Sequence, residues 1–170
     1  MITNQVSKEK TSEDAWRNIQ VNRDRKFEHL VKELVDTPDT ALFRFNKDLM
    51  IFGAMLGYNF EYRKPLPTKS EDMIQITLQT YRNTEDDGYI YLLGMLENRH
   101  ATCLKNENLS ETVKIFEEYC NGGLDLLNDW KAEYPTKKMT EILMEKIAEH
   151  TQNMQTNHQN VSNEDLEINF

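Results

Sequence analysis

The sequence is poor in the residues that form metal sites and covalent cross-links. Its only cysteines, Cys103 and Cys120, lie 17 positions apart, with no CxxC pair and no histidine at ligand spacing. This arrangement excludes the common zinc motifs and a disulfide scaffold. We therefore predict that both cysteines are small buried apolar residues, and we expect no metal and no cofactor.

Long apolar runs are also absent. No stretch approaches the roughly 18 apolar residues that a membrane span requires. The polar start Met-Ile-Thr-Asn-Gln-Val-Ser-Lys does not resemble a secretory signal. We therefore expect a cytoplasmic protein that makes no membrane contact.

The overall composition favours helices with one polar face. Hydrophobic residues make up 38% of the 170 positions and charged residues 29%, a mixture typical of exposed amphipathic helices and polar tails. The sequence predicts a mainly α fold, a compact single-domain bundle of about five helices with a short strand or hairpin. We expect the helical domain at residues 22–149, a flexible arm at 1–21 and a disordered polar tail at 150–170.

The clearest helical pattern lies in residues 109–134. Apolar and small residues recur there at alternating steps of three and four, which predicts a helix with one apolar stripe: Val113, Phe116, Cys120, Gly123, Leu127, Trp130 and Tyr134. Glycine costs roughly 1 kcal/mol relative to alanine inside a helix, so the pair Gly122-Gly123 could instead separate two helices. We favour one continuous helix, because the stripe keeps its phase and a bare Gly123 admits a neighbouring backbone. The predicted structural residues are Phe116, Tyr119, Gly122, Gly123, Leu127 and Trp130.

The remaining elements are shorter. Helical spacing predicts a helix from Asp24 to about Asp36, and an apolar run predicts a buried helix from Leu49 to Leu56 with Gly57 just past its end. Alternation of aromatic and polar residues from Tyr58 to Arg63 predicts an extended segment that stops at Pro65. Residues 73–80 are a short strand or a helix start, and we favour the strand. A helix from Asp86 or Asp87 to near Asn98 follows, with these residues facing inward: Tyr89, Ile90, Leu93, Leu96 and, less clearly, Leu92.

No catalytic motif stands out. The four histidines are scattered, and Gly122-Gly123 is not followed by the lysine and hydroxyl residue of a phosphate-binding loop. Glu85-Asp86-Asp87 lacks the spaced oxygen ligands of a calcium loop. We therefore predict that the protein is not an enzyme.

Charge is distributed unevenly along the chain. Residues 1–82 contain 13 basic and 12 acidic side chains, whereas residues 83–170 contain 7 and 17, so the net charge of −9 comes from the C-terminal half. An acidic half repels phosphate, so any nucleic-acid contact is expected from the N-terminal half or through a partner. The candidate contact residues are Arg23, Arg25, Lys26, Arg44, Lys47, Arg63 and Lys64, which lie near aromatic residues able to stack on bases.

Three stretches of the chain carry a family resemblance: Asn22-Arg23-Asp24-Arg25-Lys26, Ile51 to Tyr58 with the following Arg63-Lys64-Pro65-Leu66, and Ile115 to Leu124. They resemble the DNA phosphorothioation-associated protein 4 family, small proteins encoded beside Dnd-type DNA sulfur-modification and restriction genes. The resemblance covers roughly residues 22–146, and Cys120 departs from it where a small residue such as alanine is expected. It implies an accessory role in antiphage defence and transfers no catalytic residue.

We therefore expect a non-catalytic accessory protein of a DNA phosphorothioate modification and restriction system that binds another defence-system protein. The alternative is a DNA-binding component of the same kind of system that uses the basic and aromatic residues of the N-terminal half. The sequence does not indicate an oligomeric state.

Overall fold

The computed structural model describes the backbone of residues 15–164 and, apart from position 17, the side chains of residues 16–152. Within these residues it has six α-helices and one two-stranded antiparallel sheet. The predicted mainly α fold with a short strand is confirmed. The additional helix is a short one that directly follows the predicted strand.

The elements follow one another in this order: β1 Gln20–Asp24, α1 Glu28–Val31, α2 Asn46–Asn59, β2 Met73–Thr77, α3 Leu78–Arg82, α4 Asp87–Asn98, α5 Leu109–Glu133 and α6 Met139–Glu164. A π-helical turn, Lys32–Asp36, continues α1 as far as the break predicted before Pro38. Short 3-10 turns lie at Ala15–Asn18, Arg25–Phe27, Ser70–Asp72, Ala101–Leu104 and Asn106–Asn108.

The chain divides into two compact units, and the boundary between them lies inside α5, between Asn128 and Asp129. The first unit contains the sheet, α1 to α4 and most of α5. In the second unit, Met139 and Ile142 of α6 are buried, and the Lys146 ammonium group lies 5.9 Å from the centre of the Trp130 ring. Trp130 is half-buried.

Helix α5 is continuous through its two glycines, as the phase of the stripe predicted. A Cβ atom on Gly123 would lie 1.8 Å from the carbonyl oxygen of Gly53 in α2, and one on Gly122 would lie 1.9 Å from that of Tyr62. No other residue type fits at these distances without a backbone shift. The glycines are therefore present because a second backbone crosses α5 there. Of the other predicted structural residues, Phe116 and Leu127 are fully buried and Tyr119 is 6% exposed.

The end of α2 differs from the sequence prediction. Gly57 was expected just past the helix, but α2 continues to Asn59 and a turn follows at 60–61, so the predicted extended segment is wrong over residues 58–61. The close passage of α5, and not the end of α2, explains the glycine at position 57. A Cβ atom there would lie 2.1 Å from the Tyr119 carbonyl oxygen. The helix ends in a Schellman motif: Tyr62 N donates to Gly57 O at 2.8 Å and Glu61 N to Tyr58 O at 3.0 Å.

The sequence predicted only one of the two strands of the sheet. Residues 73–77 form the favoured strand, but its partner β1 was not predicted. The two strands are antiparallel, with Arg23 opposite Ile74. Alternate residues of β1 face inward, so Val21 and Arg23 are both fully buried. A polar five-residue strand whose partner lies far along the chain gives little periodic signal.

Both predicted tails extend in part beyond the described residues. Gln20 and Val21 belong to β1, and residues 1–14 of the expected arm lie outside the described range. At the other end, α6 continues through the polar residues after Thr151 as far as Glu164. Glutamine, methionine and glutamate in this segment are acceptable helix formers, although the composition predicted disorder. Residues 165–170 lie outside the description.

Replacing Gly123 with alanine tests the close crossing of α2 and α5. We expect Gly123→Ala to lower the free energy of unfolding by about 3 kcal/mol, because two backbones must separate to admit the methyl group. The control is Gly88→Ala in the first turn of α4, where a Cβ meets nothing within 4 Å. That change is expected to stabilise the protein by up to about 1 kcal/mol. Urea unfolding followed by circular dichroism measures both, and equal midpoints for the two variants would contradict the crossing.

Candidate functional site

Arg23, the first predicted contact residue, has a structural role. Its side chain is fully buried, donating from Nε to Asn46 Oδ1 at 3.1 Å and from Nη2 to Glu28 Oε2 at 2.9 Å. It also donates to the backbone oxygen of Asp24 at 3.2 Å. A buried guanidinium with three acceptors is not available to a partner in this conformation.

Four of the other predicted basic residues lie in ion pairs. Lys47 is 7% exposed and pairs with Asp48 at 3.0 Å and with Asp86. Lys26 and Lys64 both bind the carboxylate of Asp125, Lys26 at 3.2 Å. Arg63 bridges Glu97 at 2.6 Å and Glu118 at 2.5 Å. Acidic neighbours therefore offset most of the positive charge that the DNA-binding alternative would use.

Arg25 and Arg44 remain exposed. Arg25 donates to the backbone oxygens of Glu71 and Met73 at 2.9 and 3.2 Å. The Arg44 guanidinium lies 5.1 Å from the centre of the Phe45 ring. Neither the backbone oxygens nor the phenylalanine ring neutralises a guanidinium charge. Within the described part of the chain, Arg25 and Arg44 are therefore the predicted contact residues whose positive charge is exposed and not offset by an acidic neighbour.

A row of polar side chains on α5 binds the free edge of β1. Glu117 Oε1 accepts from both the backbone N and the Nδ2 of Asn22, each at 2.7 Å. Asn121 Oδ1 accepts from the backbone N of Asp24 at 3.0 Å. Residues four apart share one face of a helix, so Glu117 and Asn121 can both reach β1. They accept hydrogen bonds from the backbone N–H groups of Asn22 and Asp24, which point away from β2.

Two buried acids in this row have shifted pKa values of opposite direction. Burial raises the pKa of Glu117 to about 7, although the hydrogen bonds from Asn22 oppose the shift. Burial also raises the pKa of Asp125, but the ammonium groups of Lys64 and Lys26 outweigh it and the net pKa lies below the ordinary value. A buried acid with a raised pKa is typical of active sites. Here Glu117 is occupied by β1, which gives it a structural role.

A cleft of about 680 Å³ lies where the C-terminal ends of α2 and α4 meet α5. It is lined by Tyr58, Asn59, Glu61, Leu96, Glu97, Arg99 and Tyr119. Glu61 and Arg99 each follow the end of a helix with a left-handed backbone, at φ 51° and 53°. Glycine is the usual residue at such positions. Two charged side chains occupy them instead, and both belong to the cleft.

The inner wall of the cleft is a fixed network. Tyr119 donates its hydroxyl hydrogen to Glu97 Oε2 at 2.8 Å, and the Arg63 guanidinium lies 5.1 Å from the centre of the Tyr119 ring. Burial, together with the Glu97 hydrogen bond, raises the pKa of Tyr119 to about 12. Tyr58 meets Tyr119 edge to face at 5.5 Å between ring centres. In contrast, the structure records no ion pair for Glu61 or Arg99 within the described residues.

Helix α4 has two apolar faces, although the sequence predicted one. Ile90 and Leu93 are fully buried, as predicted. Three other residues predicted to face inward, Tyr89, Leu92 and Leu96, are instead 42–46% exposed, and Met95 is 43% exposed. The four exposed residues form a second stripe on the opposite side of the helix. Sequence periodicity could not separate the stripes, because apolar residues surround most of this helix.

Both cysteines are buried in the fold. Burial raises the pKa of the Cys120 thiol well above its ordinary value, which keeps it protonated, and both Cys103 and Cys120 are buried free thiols, as predicted. In the part of the chain that the structure describes, no group of three or more His, Cys, Asp or Glu side chains is placed to hold a metal ion. None of the described helices combines the length and apolar character needed to cross a membrane.

The three stretches that carry the family resemblance come together in space. Asn22 and Asp24 of the first bind Glu117 and Asn121 of the third, and Gly53 of the second crosses Gly123 of the third. A family model described as DNA sulphur modification system-associated protein 4 matches residues 19–165. The chain belongs to this family. The predicted family is thereby confirmed, and membership associates this chain with a DNA sulphur modification system. No curated protein and no solved structure matches the chain.

The residues of the cleft were not predicted as a site. Glu97 belonged to none of the predicted sites, and Tyr58 was assigned to an extended segment. The glycine spacing of Gly53 and Gly57 was the available signal, because it predicts a close helix crossing that carries Tyr58 towards α5. Nothing local to Glu61 or Arg99 indicates a left-handed backbone.

Replacing Glu117 with glutamine tests the raised pKa. The pKa of Glu117 is higher in the folded chain than its ordinary value of 4.5, so the folded state binds the proton more tightly, and the stability that this proton provides falls as the pH rises from about 4.5 to 7. A glutamine keeps an oxygen for Asn22 but never ionises. We expect Glu117→Gln to match the wild type at pH 5 and to exceed its unfolding free energy by about 3 kcal/mol at pH 8.

Urea unfolding at several pH values measures this difference. The matched control is Glu111→Gln, an exposed acid in the first turn of the same helix. Its difference from the wild type is expected to change little between pH 5 and pH 8. A Glu117→Gln difference that stays constant over this range would contradict the linkage of Glu117 ionisation to folding.

Proposed function

We propose that the protein is a non-catalytic accessory component of a DNA phosphorothioate modification and restriction system, in which it serves antiphage defence by binding another protein of the system. Family membership supports the link to the system. The observation that supports a protein partner is the exposed stripe of α4, formed by Tyr89, Leu92, Met95 and Leu96. We call these four residues the α4 face.

The α4 face is unusual for a surface helix. Single exposed apolar residues are common and need no explanation, but a contiguous apolar patch is typical of a protein interface. Aromatic residues and methionine are enriched at such interfaces, and Tyr89 and Met95 provide both. The opposite side of α4 is already packed through Ile90 and Leu93, so the stripe is additional to what the fold of this unit uses.

The DNA-binding alternative has weaker support. Lys26, Lys47, Arg63 and Lys64 are held by carboxylates, and a phosphate would have to compete with each of these pairs. The chain as a whole carries a net charge of −9, which opposes approach to a nucleic acid. Arg25 and Arg44 are the residues on which that alternative now depends.

Affinity capture from the native host tests the proposal. The tagged protein is expected to retain a subunit of the sulphur-modification or restriction machinery, identified by mass spectrometry, after nuclease treatment. Leu92→Glu is expected to reduce that capture at least tenfold, because it places a charge in the α4 face. Leu42→Glu is the matched control, since Leu42 is 41% exposed on the loop before α2, and it should capture normally. If the captured proteins are lost after nuclease treatment, the result would instead favour direct DNA binding.

Gene deletion tests the role in the system. Cells without the gene are expected to lose restriction of incoming plasmid or phage DNA, and the wild-type gene and the Leu42→Glu variant are expected to restore it. Leu92→Glu should fail to restore it while accumulating to the same level in the cell. Intact restriction in the deletion strain would contradict the accessory role.

A further inference from the structure

The α4 face continues directly into the cleft at the ends of α2 and α4. Leu96 belongs to both, and Glu97 and Arg99 follow it in the cleft wall. An occupant of the α4 face that extends past Leu96 therefore meets the cleft. The chemistry of the cleft then restricts what that occupant can be.

The charges around the cleft favour a cation. Glu61, Glu97 and Glu118 provide three carboxylates, and Arg63, Arg99 and Lys114, which pairs with Glu118, provide three cations. The C-terminal ends of two helices also point here, each contributing a partial negative charge of about one half. The side-chain charges therefore cancel, and the helix ends leave a local balance that is negative by about one charge. Glu61 has no ion pair within the described residues, so its carboxylate is available.

The aromatic residues of the cleft favour the same occupant. Tyr58 and Tyr119 line the cleft, and cations bind the faces of such rings. Arg63 already does so: its guanidinium lies 5.1 Å from the centre of the Tyr119 ring and also contacts Glu97 and Glu118. The volume of about 680 Å³ leaves room for a long side chain beside it.

We infer that the α4 face and this cleft together form a docking surface for a basic amphipathic segment of the partner protein. The apolar residues of the segment lie on Tyr89, Leu92 and Leu96, and an arginine or lysine side chain enters the cleft towards Glu61 and Tyr58. This inference rests on the proposed function, since it specifies the chemistry of the partner. It adds a charge requirement that an apolar patch alone does not impose.

A titration of the full-length ¹⁵N-labelled protein tests the cleft without knowledge of the partner. The probe is N-acetyl-arginine amide, and its control is N-acetyl-citrulline amide, which has nearly the same shape and no charge. The arginine probe is expected to shift the amide signals of residues 58–61 and 96–99, with the citrulline probe producing at most a third of the shift at equal concentration. Equal shifts with both probes, or no shifts at these residues, would overturn the inference.

Glu61→Gln and Glu85→Gln form a matched pair. Both residues have left-handed backbones, at φ 51° and 62°, and both lose one negative charge on substitution, but Glu85 does not line the cleft. Glu61→Gln is expected to weaken arginine binding about threefold, the effect of losing one partly exposed ion pair. Glu85→Gln should leave the affinity unchanged. If both variants weakened arginine binding equally, the overall charge of the protein would explain the binding. The inference that the cleft binds the cation would then be wrong.

Capture of the partner separates this inference from the proposed function. Reduced capture by Glu61→Gln, with normal capture by Glu85→Gln, supports the basic segment. Full capture by Glu61→Gln with loss of capture by Leu92→Glu overturns the basic segment and leaves the protein-binding role standing. If the wild type captures no protein of the system, the proposed function fails, and the arginine titration still decides whether the cleft binds a cation.

Discussion

The close crossing of α2 and α5 is the contact on which the first unit depends. Gly53 and Gly57 on one helix and Gly123 on the other replace side chains with backbone-to-backbone contact. At this separation the helices cannot slide without introducing a collision, so the crossing fixes their register. It places Tyr58 against Tyr119 and brings the end of α2 to the end of α4. The cleft is therefore a consequence of the crossing, even though no glycine lines it.

A second constraint acts on the other side of α5. A two-stranded sheet leaves one edge of each strand unpaired, and α5 satisfies that edge of β1 with the side chains of Glu117 and Asn121. This arrangement requires polar residues on the buried face of α5. It carries a cost in desolvation, which is visible in the pKa of Glu117 at about 7. Arg23 of the same strand is also buried, and Glu28 compensates its charge.

The difference between what the sequence predicted and what it missed follows from the range of the interactions. The phase of the apolar stripe predicted α5 and its close neighbour at Gly123, because both are encoded within one helix. Strand β1 could not be predicted in this way, since its hydrogen bonds come from β2 and from α5, far along the chain. Glu117, Asn121 and Asp125 do recur every four residues beside the apolar stripe, but such a row is equally typical of a solvated helix face and does not indicate that it is buried. The cleft combines two left-handed residues with an unexpected helix end, and no local pattern encodes that combination.

The energetics of the α4 face explain why a charged neighbour matters. Fully burying a large apolar side chain contributes about 1.5–3 kcal/mol, and each residue of the face is already more than half buried in the folded chain. Covering all four therefore contributes roughly 4 kcal/mol, which is no more than the smallest values given for the loss of translational and rotational freedom on association. The apolar stripe alone is thus too small to hold a partner. A cation placed between Glu61 and Tyr58, in a negative cleft that is already formed in the free protein, adds affinity with little ordering of this chain, and it gives the contact a direction along α4 that apolar packing does not provide.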